Sequence, residues 1–421
     1  MSRQSGFSSS RRAAIRVGLA GAAAWVAGCA TTSDAGKPRV VVVGGGWGGL
    51  GAARTLAEGG KVAVTLIEPN DAFMSCPLSV HYVAGFTAAS DYQRSYANVD
   101  RLGIRRARAR VTEIDRAGSA VVAGGQRYPY DFLVLSPGVE YVEEAVQGYA
   151  AARDQLPVGF RAFEQSAVRQ QVDAFLDKGG EFVITVPKPP YRCPPAPYER
   201  AFLIAEQMKR RGTKGKIIVV DANPNPMPPP IAAPIRSAMT SIYAGEIEYV
   251  TNTEVTAVDI GRRVLVTPTG DVKFTAVNLV LPMRAPGMIR QAGLGERWAA
   301  VKLPSFQSQA DEKIYVVGDA QGTPLPKSGH VAFGAGKEVA NDIERRAAGQ
   351  PALAASGPVT LPAGICWAAV THIEAIMINV SASVEAGQAP KLSFQVDPKH
   401  NVASGQGALQ WGESMWNQML G

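Results

Sequence analysis

Apolar runs and polar breaks alternate along most of the chain in a strand, helix, strand rhythm. Arg39-Val40-Val41-Val42-Val43 is a run of β-branched residues suited to a strand buried on both faces of a parallel sheet. Gly44-Gly45-Gly46-Trp47-Gly48-Gly49 follows at once, Leu50 to Glu58 has helical spacing, and a second apolar strand from Val62 to Ile67 stops at Glu68. Similar punctuation recurs further on. Tyr130 to Leu135 runs into Ser136-Pro137-Gly138, and Ile314 to Val317 into Gly318-Asp319-Ala320. Between them, Glu181 to Val186, a helix from about Tyr198 to Arg211, and Lys216 to Asp221 form a second unit of the same kind. The prediction is an α/β fold: two Rossmann-like dinucleotide-binding domains plus a C-terminal interface domain. The expected boundaries are an export signal with the mature N-terminal linker at 1–36, the first dinucleotide domain at 37–142 and again at 276–350, the second at 143–275, and the C-terminal domain at 351–421.

The first unit carries the chemistry of a dinucleotide site. Gly44 permits a tight turn, Gly46 lets backbone approach a pyrophosphate, and Gly49 allows helix and strand to pack closely, with the helix N-terminus facing the phosphate charge. Glu68 falls where a carboxylate accepts from ribose hydroxyls. The second unit departs from this pattern, since its first strand leads into Pro187-Lys188-Pro189-Pro190-Tyr191-Arg192-Cys193-Pro194-Pro195-Ala196-Pro197. Proline has no amide hydrogen, so this loop cannot wrap donors around a pyrophosphate, and a nicotinamide nucleotide is not expected there.

Length and composition narrow the class. The 421 residues are enough for two or three domains, and 46% apolar against 19% charged residues describes a folded globular chain. Arg11-Arg12 ahead of the apolar stretch Val17 to Ala27 reads as an export signal of the twin-arginine type, which implies a bacterial periplasmic destination. Val26-Ala27-Gly28-Cys29 has the form of a lipobox, so Cys29 is either lipidated, tethering the protein to a membrane, or removed with the signal. The formal charge of +7 includes four arginines in that signal, and the remainder, near +3, shows no basic run that would favour nucleic acid. The four histidines, at 81, 330, 372 and 400, form no local metal motif, and without Cys-x-x-Cys-His no haem is attached to this chain.

Beyond the first unit, the strands ending in Ser136-Pro137-Gly138 and in Gly318-Asp319 resemble the later landmarks of FAD-binding, disulfide-reductase-like flavoproteins. That resemblance implies FAD as the cofactor, with Gly138 in its turn and Asp319 at the ribityl and pyrophosphate region. Phe73-Met74-Ser75-Cys76-Pro77-Leu78-Ser79, Cys193-Pro194-Pro195-Ala196-Pro197-Tyr198-Glu199-Arg200 and Pro324-Leu325-Pro326-Lys327-Ser328-Gly329 are similar to the flavoprotein subunit of flavocytochrome c sulfide dehydrogenase. What this family implies is a thioether from Cys76 to the flavin and a redox-active disulfide between Cys193 and Cys366. Proline after Cys76 and the surroundings Gly364-Ile365-Cys366-Trp367 depart from the family pattern. Glu199, early in its helix, is the candidate for handling protons at the sulfur site, or alternatively an N-terminal charge favoured by the helix dipole. Lys327 is a candidate positive charge beside the flavin, or alternatively a surface lysine.

The expected function is oxidation of sulfide to sulfur or polysulfide, with electrons passed to a c-type cytochrome subunit. Sulfide:quinone oxidoreductase is the alternative, and a noncatalytic FAD-containing assembly or relay subunit is a second. Trp367, Trp411 and Trp416 of the C-terminal region are candidates for the cytochrome contact, or else complete the flavin domain's core.

Overall fold

The computed structural model describes residues 34–421, so the Arg11-Arg12 pair and Cys29 lie outside the described residues. β1 (Arg39–Val43) runs through the middle of a seven-stranded sheet, its four valines essentially without exposure. Such a strand has no polar face to turn to water and takes an interior place. α1 (Trp47–Gly59) crosses to β2 (Ala63–Ile67), which pairs in parallel with β1. The helix stops at Gly60, whose left-handed conformation lets its amide reach the carbonyls of Leu56 and Ala57. β3 (Phe132–Leu135) lies parallel to β1 on the other side.

The chain then leaves this sheet. β4 (Gly180–Val186), α2 (Ala196–Arg211) and β5 (Gly215–Asp221) make the second strand, helix, strand unit, and β6 (Ile247–Val250) and β7 (Ala276–Asn278) complete a four-stranded parallel sheet in the order β6, β5, β4, β7. α2 starts before the expected Tyr198. Pro195 and Pro197 do not oppose this, because first-turn amides have no intrahelical acceptor to lose. β8 (Ile314–Val316) returns to the first sheet beside β3, and α3 (Gly329–Ala347) packs on α1. Two small antiparallel sheets, built from Val111–Asp115, Ala120–Ala123 and Gln126–Pro129 and from Ala257–Asp259, Val264–Thr267 and Gly270–Lys273, were not foreseen.

The C-terminal region is an antiparallel meander, β9 (Val359–Ala369), β10 (Ala375–Val384) and β11 (Lys391–Val396), followed by α4 (Val402–Leu420). Met415, Trp416, Met419 and Leu420 of α4 join the core around the first sheet, whereas Ile376, Ile378 and Val380 of β10 join the core around the second. The α/β class and the two strand, helix, strand units are therefore as the residue pattern predicts.

Candidate functional site

The glycine turn between β1 and α1 is shaped by three different needs. Gly44 has φ of +97°, and a Cβ on it would lie 2.3 Å from the Ser136 carbonyl oxygen; on Gly49 it would lie 1.8 Å from that of Gly44. Neither position accepts a side chain. Gly46 is the N-cap residue of α1, has no side-chain cap, and a Cβ there would meet nothing within 4 Å. The first amides of α1 thus look into open space with the positive end of the helix dipole behind them. Glu68 accepts from the Gly45 amide at 2.7 Å and from the Asn70 amide at 2.8 Å, which fixes its carboxylate at the cleft wall.

The cleft is also lined by Gly138, Asp319, Lys327, Cys76, Cys193, Glu199 and Cys366, so the expected residues of both sheets and of the C-terminal region meet in one place. Its volume is about 170 Å³. Trp47, Trp411 and His330 line it, and their Nε1, Nε1 and Nδ1 atoms are buried without a protein hydrogen-bond partner. Buried polar atoms are rarely left so. Together with the open face at Gly46 and the uncapped helix, they fit a bound dinucleotide.

Each reactive side chain is held by its own local structure. Cys76 lies in the turn after the short strand Ala72–Met74, where Ser79 Oγ donates to the Cys76 carbonyl at 2.7 Å and Gln165 Nε2 lies 3.3 Å from Sγ. Cys193 sits in the proline loop between β4 and α2 with φ of +50°, and its amide donates to the Lys327 carbonyl at 2.9 Å. Cys366 is on β9 opposite Ile378. All three thiols are free in the structure, with no sulfur–sulfur bond between Cys193 and Cys366. Burial pushes the Cys193 thiol well above its ordinary pKa and Cys366 up to about 12, with Glu199 adding to both. Burial also raises Cys76, against the opposing charge of Arg192. Reduced cysteines here are neutral, weak nucleophiles.

Glu199, 5% exposed, accepts from the Ala369 amide at 3.0 Å, and burial lifts its carboxyl to about 7, opposed by that amide and Arg200. A buried acid with this value exchanges protons near neutrality. Lys327 is not a surface lysine: it is 3% exposed and donates to the carbonyls of Asp319 at 2.7 Å and Gln321 at 2.9 Å. Its ammonium lies 3.6 Å from the Trp298 ring centroid, and burial brings it down to about 8 against the pull of Asp319.

Two features escaped the sequence. Arg192 pairs with Asp319 and donates to the Phe160 carbonyl at 2.6 Å, so one proline-loop residue bridges toward the expected cofactor carboxylate. Its adjacency to Cys193 was the available signal. The tryptophans are the other. Trp416 is buried beneath Arg94 and against Tyr92, while Trp411 stacks on Trp47 with centroids 5.4 Å apart, beside Trp367. Trp416 completes the core, the second of the two places expected for these residues, while Trp367 and Trp411 line the cleft.

The architecture and cleft define a flavin-dependent oxidoreductase of the disulfide-reductase-like class. Residues 38–167 match the model of pyridine nucleotide-disulphide oxidoreductases, and residues 165–282 match that of the sulfide dehydrogenase (flavocytochrome c) flavoprotein chain, central region. Together these matches support a sulfide:quinone oxidoreductase-like flavoprotein. It is 22% identical over 301 residues to the mitochondrial sulfide:quinone oxidoreductase of Dictyostelium discoideum, covering 69% of this chain and 67% of that one. It is 51% identical over 45 residues to the sulfide dehydrogenase (flavocytochrome c) flavoprotein chain of Chlorobaculum thiosulfatiphilum, or 10% of this chain and 94% of that sequence. The solved sulfide:quinone oxidoreductase of Aquifex aeolicus has the same fold, with a TM-score of 0.75, 18% identity and 91% of each chain covered.

Proposed function

We propose that this chain is an exported FAD flavoprotein that oxidises sulfide to sulfur or polysulfide through a Cys193–Cys366 disulfide and delivers electrons to a c-type cytochrome. The observation that carries this reading is the meeting of Cys193, Cys366 and Glu199 at the same cleft as the glycine cradle. The α1 amides and Gly46 would hold the pyrophosphate, Glu68 a ribose, Asp319 the ribityl region, and Cys76 the flavin ring through a thioether. Bound FAD supplies the two-electron acceptor that returns the cysteine pair to its disulfide.

Hydrosulfide, an anion at neutral pH, attacks one sulfur of the pair: a sulfur–sulfur bond forms to the incoming atom, the Cys193–Cys366 bond breaks, and the other cysteine leaves as a thiolate. Burial makes that thiolate costly, so it takes up a proton, and Glu199, lining the same cleft with a carboxyl near 7, can give one. Lys327, lining the same cleft, would place positive charge near the reduced flavin.

A quinone acceptor is the second reading, favoured by the likeness to sulfide:quinone oxidoreductases. Against it, α4 turns Met415, Trp416, Met419 and Leu420 inward, and Glu413 is exposed and paired with Arg94. Sulfide added anaerobically to the purified holoprotein should bleach its flavin absorbance, and reoxidation should be faster with a c-type cytochrome than with a short-chain quinone. Faster quinone reduction would reverse the assignment of the acceptor, and an unbleached flavin would leave a noncatalytic relay subunit. Flavin should stay with the polypeptide on acid precipitation and be released in Cys76→Ala. Export is tested by cell fractionation: a double lysine replacement of Arg11 and Arg12 should strand the protein in the cytoplasm. Labelling with a radioactive fatty acid decides between lipidation and removal of Cys29.

A further inference from the structure

The acid that ends the second unit has been turned to a new use. Asp221 closes β5 as Glu68 follows β2, but it has no exposure, and four donors share its two oxygens. Tyr198 Oη at 2.7 Å and Tyr249 Oη at 2.8 Å donate to Oδ2; the Asn223 amide and Nδ2, both at 2.8 Å, donate to Oδ1. No acceptor capacity is left for a ribose. The cavity beside these strand ends, lined by Val186, Pro187, Val220 and Ala222, holds about 30 Å³, room for roughly two waters.

The tyrosines lead elsewhere. Tyr198 stands in the first turn of α2, one residue before Glu199. Its amide donates to the Pro195 carbonyl at 3.0 Å and that of Ala196 to the Cys193 carbonyl at 2.9 Å, while Asn223 Nδ2 also reaches the Pro187 carbonyl at 3.2 Å; within the loop the Tyr191 hydroxyl donates to the Pro194 carbonyl at 3.0 Å. Tyr191 and Pro194 bracket Cys193, the residue held at φ +50°. A left-handed conformation at a residue with a side chain persists only when its surroundings hold it there. On the opposite side the Cys193 amide is tied to Lys327.

We propose that Asp221 is a positioning residue for the sulfur site, acting through Tyr198 at the start of α2 and Asn223 beside Pro187 to hold the proline loop so that Cys193 is presented to Cys366 and the cleft. This rests on the reading of Cys193 and Cys366 as the reactive pair. A binding position for a second dinucleotide has thereby become the anchor of a cysteine.

Tyr198→Phe and Tyr249→Phe are a matched test, since each removes one hydroxyl from Asp221 and only the first lies on the path to Cys193. In holoprotein reduced with a phosphine, alkylation of Cys193 and Cys366 by iodoacetamide is followed peptide by peptide. Tyr198→Phe should speed labelling of Cys193 relative to Cys366 about fivefold, as expected when one buried hydrogen bond restraining the loop is lost, and Tyr249→Phe should leave the ratio unchanged. Tyr191→Phe should behave like Tyr198→Phe. Flavin absorbance serves as the folding control. Equal effects from Tyr198→Phe and Tyr249→Phe, or no change in the ratio in either, would overturn the proposal. Non-reducing mass mapping of the wild type separates this from the parent reading: a Cys193–Cys366 crosslink with an unmoved ratio defeats the positioning role alone, and absence of the crosslink defeats the reactive pair.

Discussion

The two strand, helix, strand units of this chain share a framework and differ in the loop that joins strand to helix. In the first, glycines bend the backbone out of the way, α1 presents bare amides, and Glu68 stays at the wall of an open cleft. In the second, prolines supply no donors, the acid at the strand end is sealed by tyrosines, and the loop carries Arg192 and Cys193 across to the first unit's cleft. A parallel strand pair with its crossover helix is a neutral platform. Loop composition decides whether its helix end receives an anion or delivers a side chain.

The largest test of this contrast is Cys193→Ser, which should retain flavin yet lower sulfide turnover at least about a thousandfold, measured as flavin bleaching in stopped flow. Full turnover in this variant would reduce the proline loop to packing. Glu199→Gln comes next, with a loss of about a hundredfold and disappearance of the pH-rate limb near 7. It also has a stability signature. The folded carboxyl titrates near 7 and the unfolded one near its ordinary value, so between these the native state binds more protons and the wild type loses stability as pH rises. The glutamine variant lacks that loss, and its urea-unfolding free energy should gain on the wild type between pH 5 and pH 8. A constant difference across that range would mean that the carboxyl titrates normally.

The glycine side is sharpened by two alanine replacements that should fail in different ways. Gly49→Ala drives a Cβ into the Gly44 carbonyl and should cost about 3 kcal/mol of stability or more; Gly46→Ala meets no protein atom and should keep its melting temperature while binding free FAD, in an apoprotein of the Cys76→Ala background, about tenfold more weakly. Equal melting losses in both would mean that Gly46 serves packing and not the cofactor. The smallest expected effect is none: NADH or NADPH at millimolar concentration should leave the flavin oxidised over minutes, and rapid bleaching by either would return the second unit to nucleotide binding.

Much of the framework was legible in the sequence because it depends on local periodicity. Arg39–Val43 was placed residue for residue, and β2, β3, β4, β5 and β8 within a residue or two at their ends. The antiparallel meanders were missed because half-exposed strands such as Val111–Asp115 alternate weakly. The cleft residues were visible where a motif marks them, as at Gly44 or Cys193. Partnerships made only by the tertiary fold were not: nothing adjacent in sequence says that Asp221 accepts from Tyr249, that Arg192 reaches Asp319, or that Lys327 is buried against Trp298.

The lining of the cleft runs in sequence from Gly45 to Trp411. During synthesis the glycine turn emerges early and then waits, because β8 cannot take its place beside β3 until the whole second unit has been made, and Asp319, Lys327 and Trp411 come later still. No partial product of the ribosome can therefore retain the cofactor in a closed site. Retention in a closed site thus follows assembly of the whole lining, and yellow colour on the polypeptide is a certificate that the long-range assembly has been achieved.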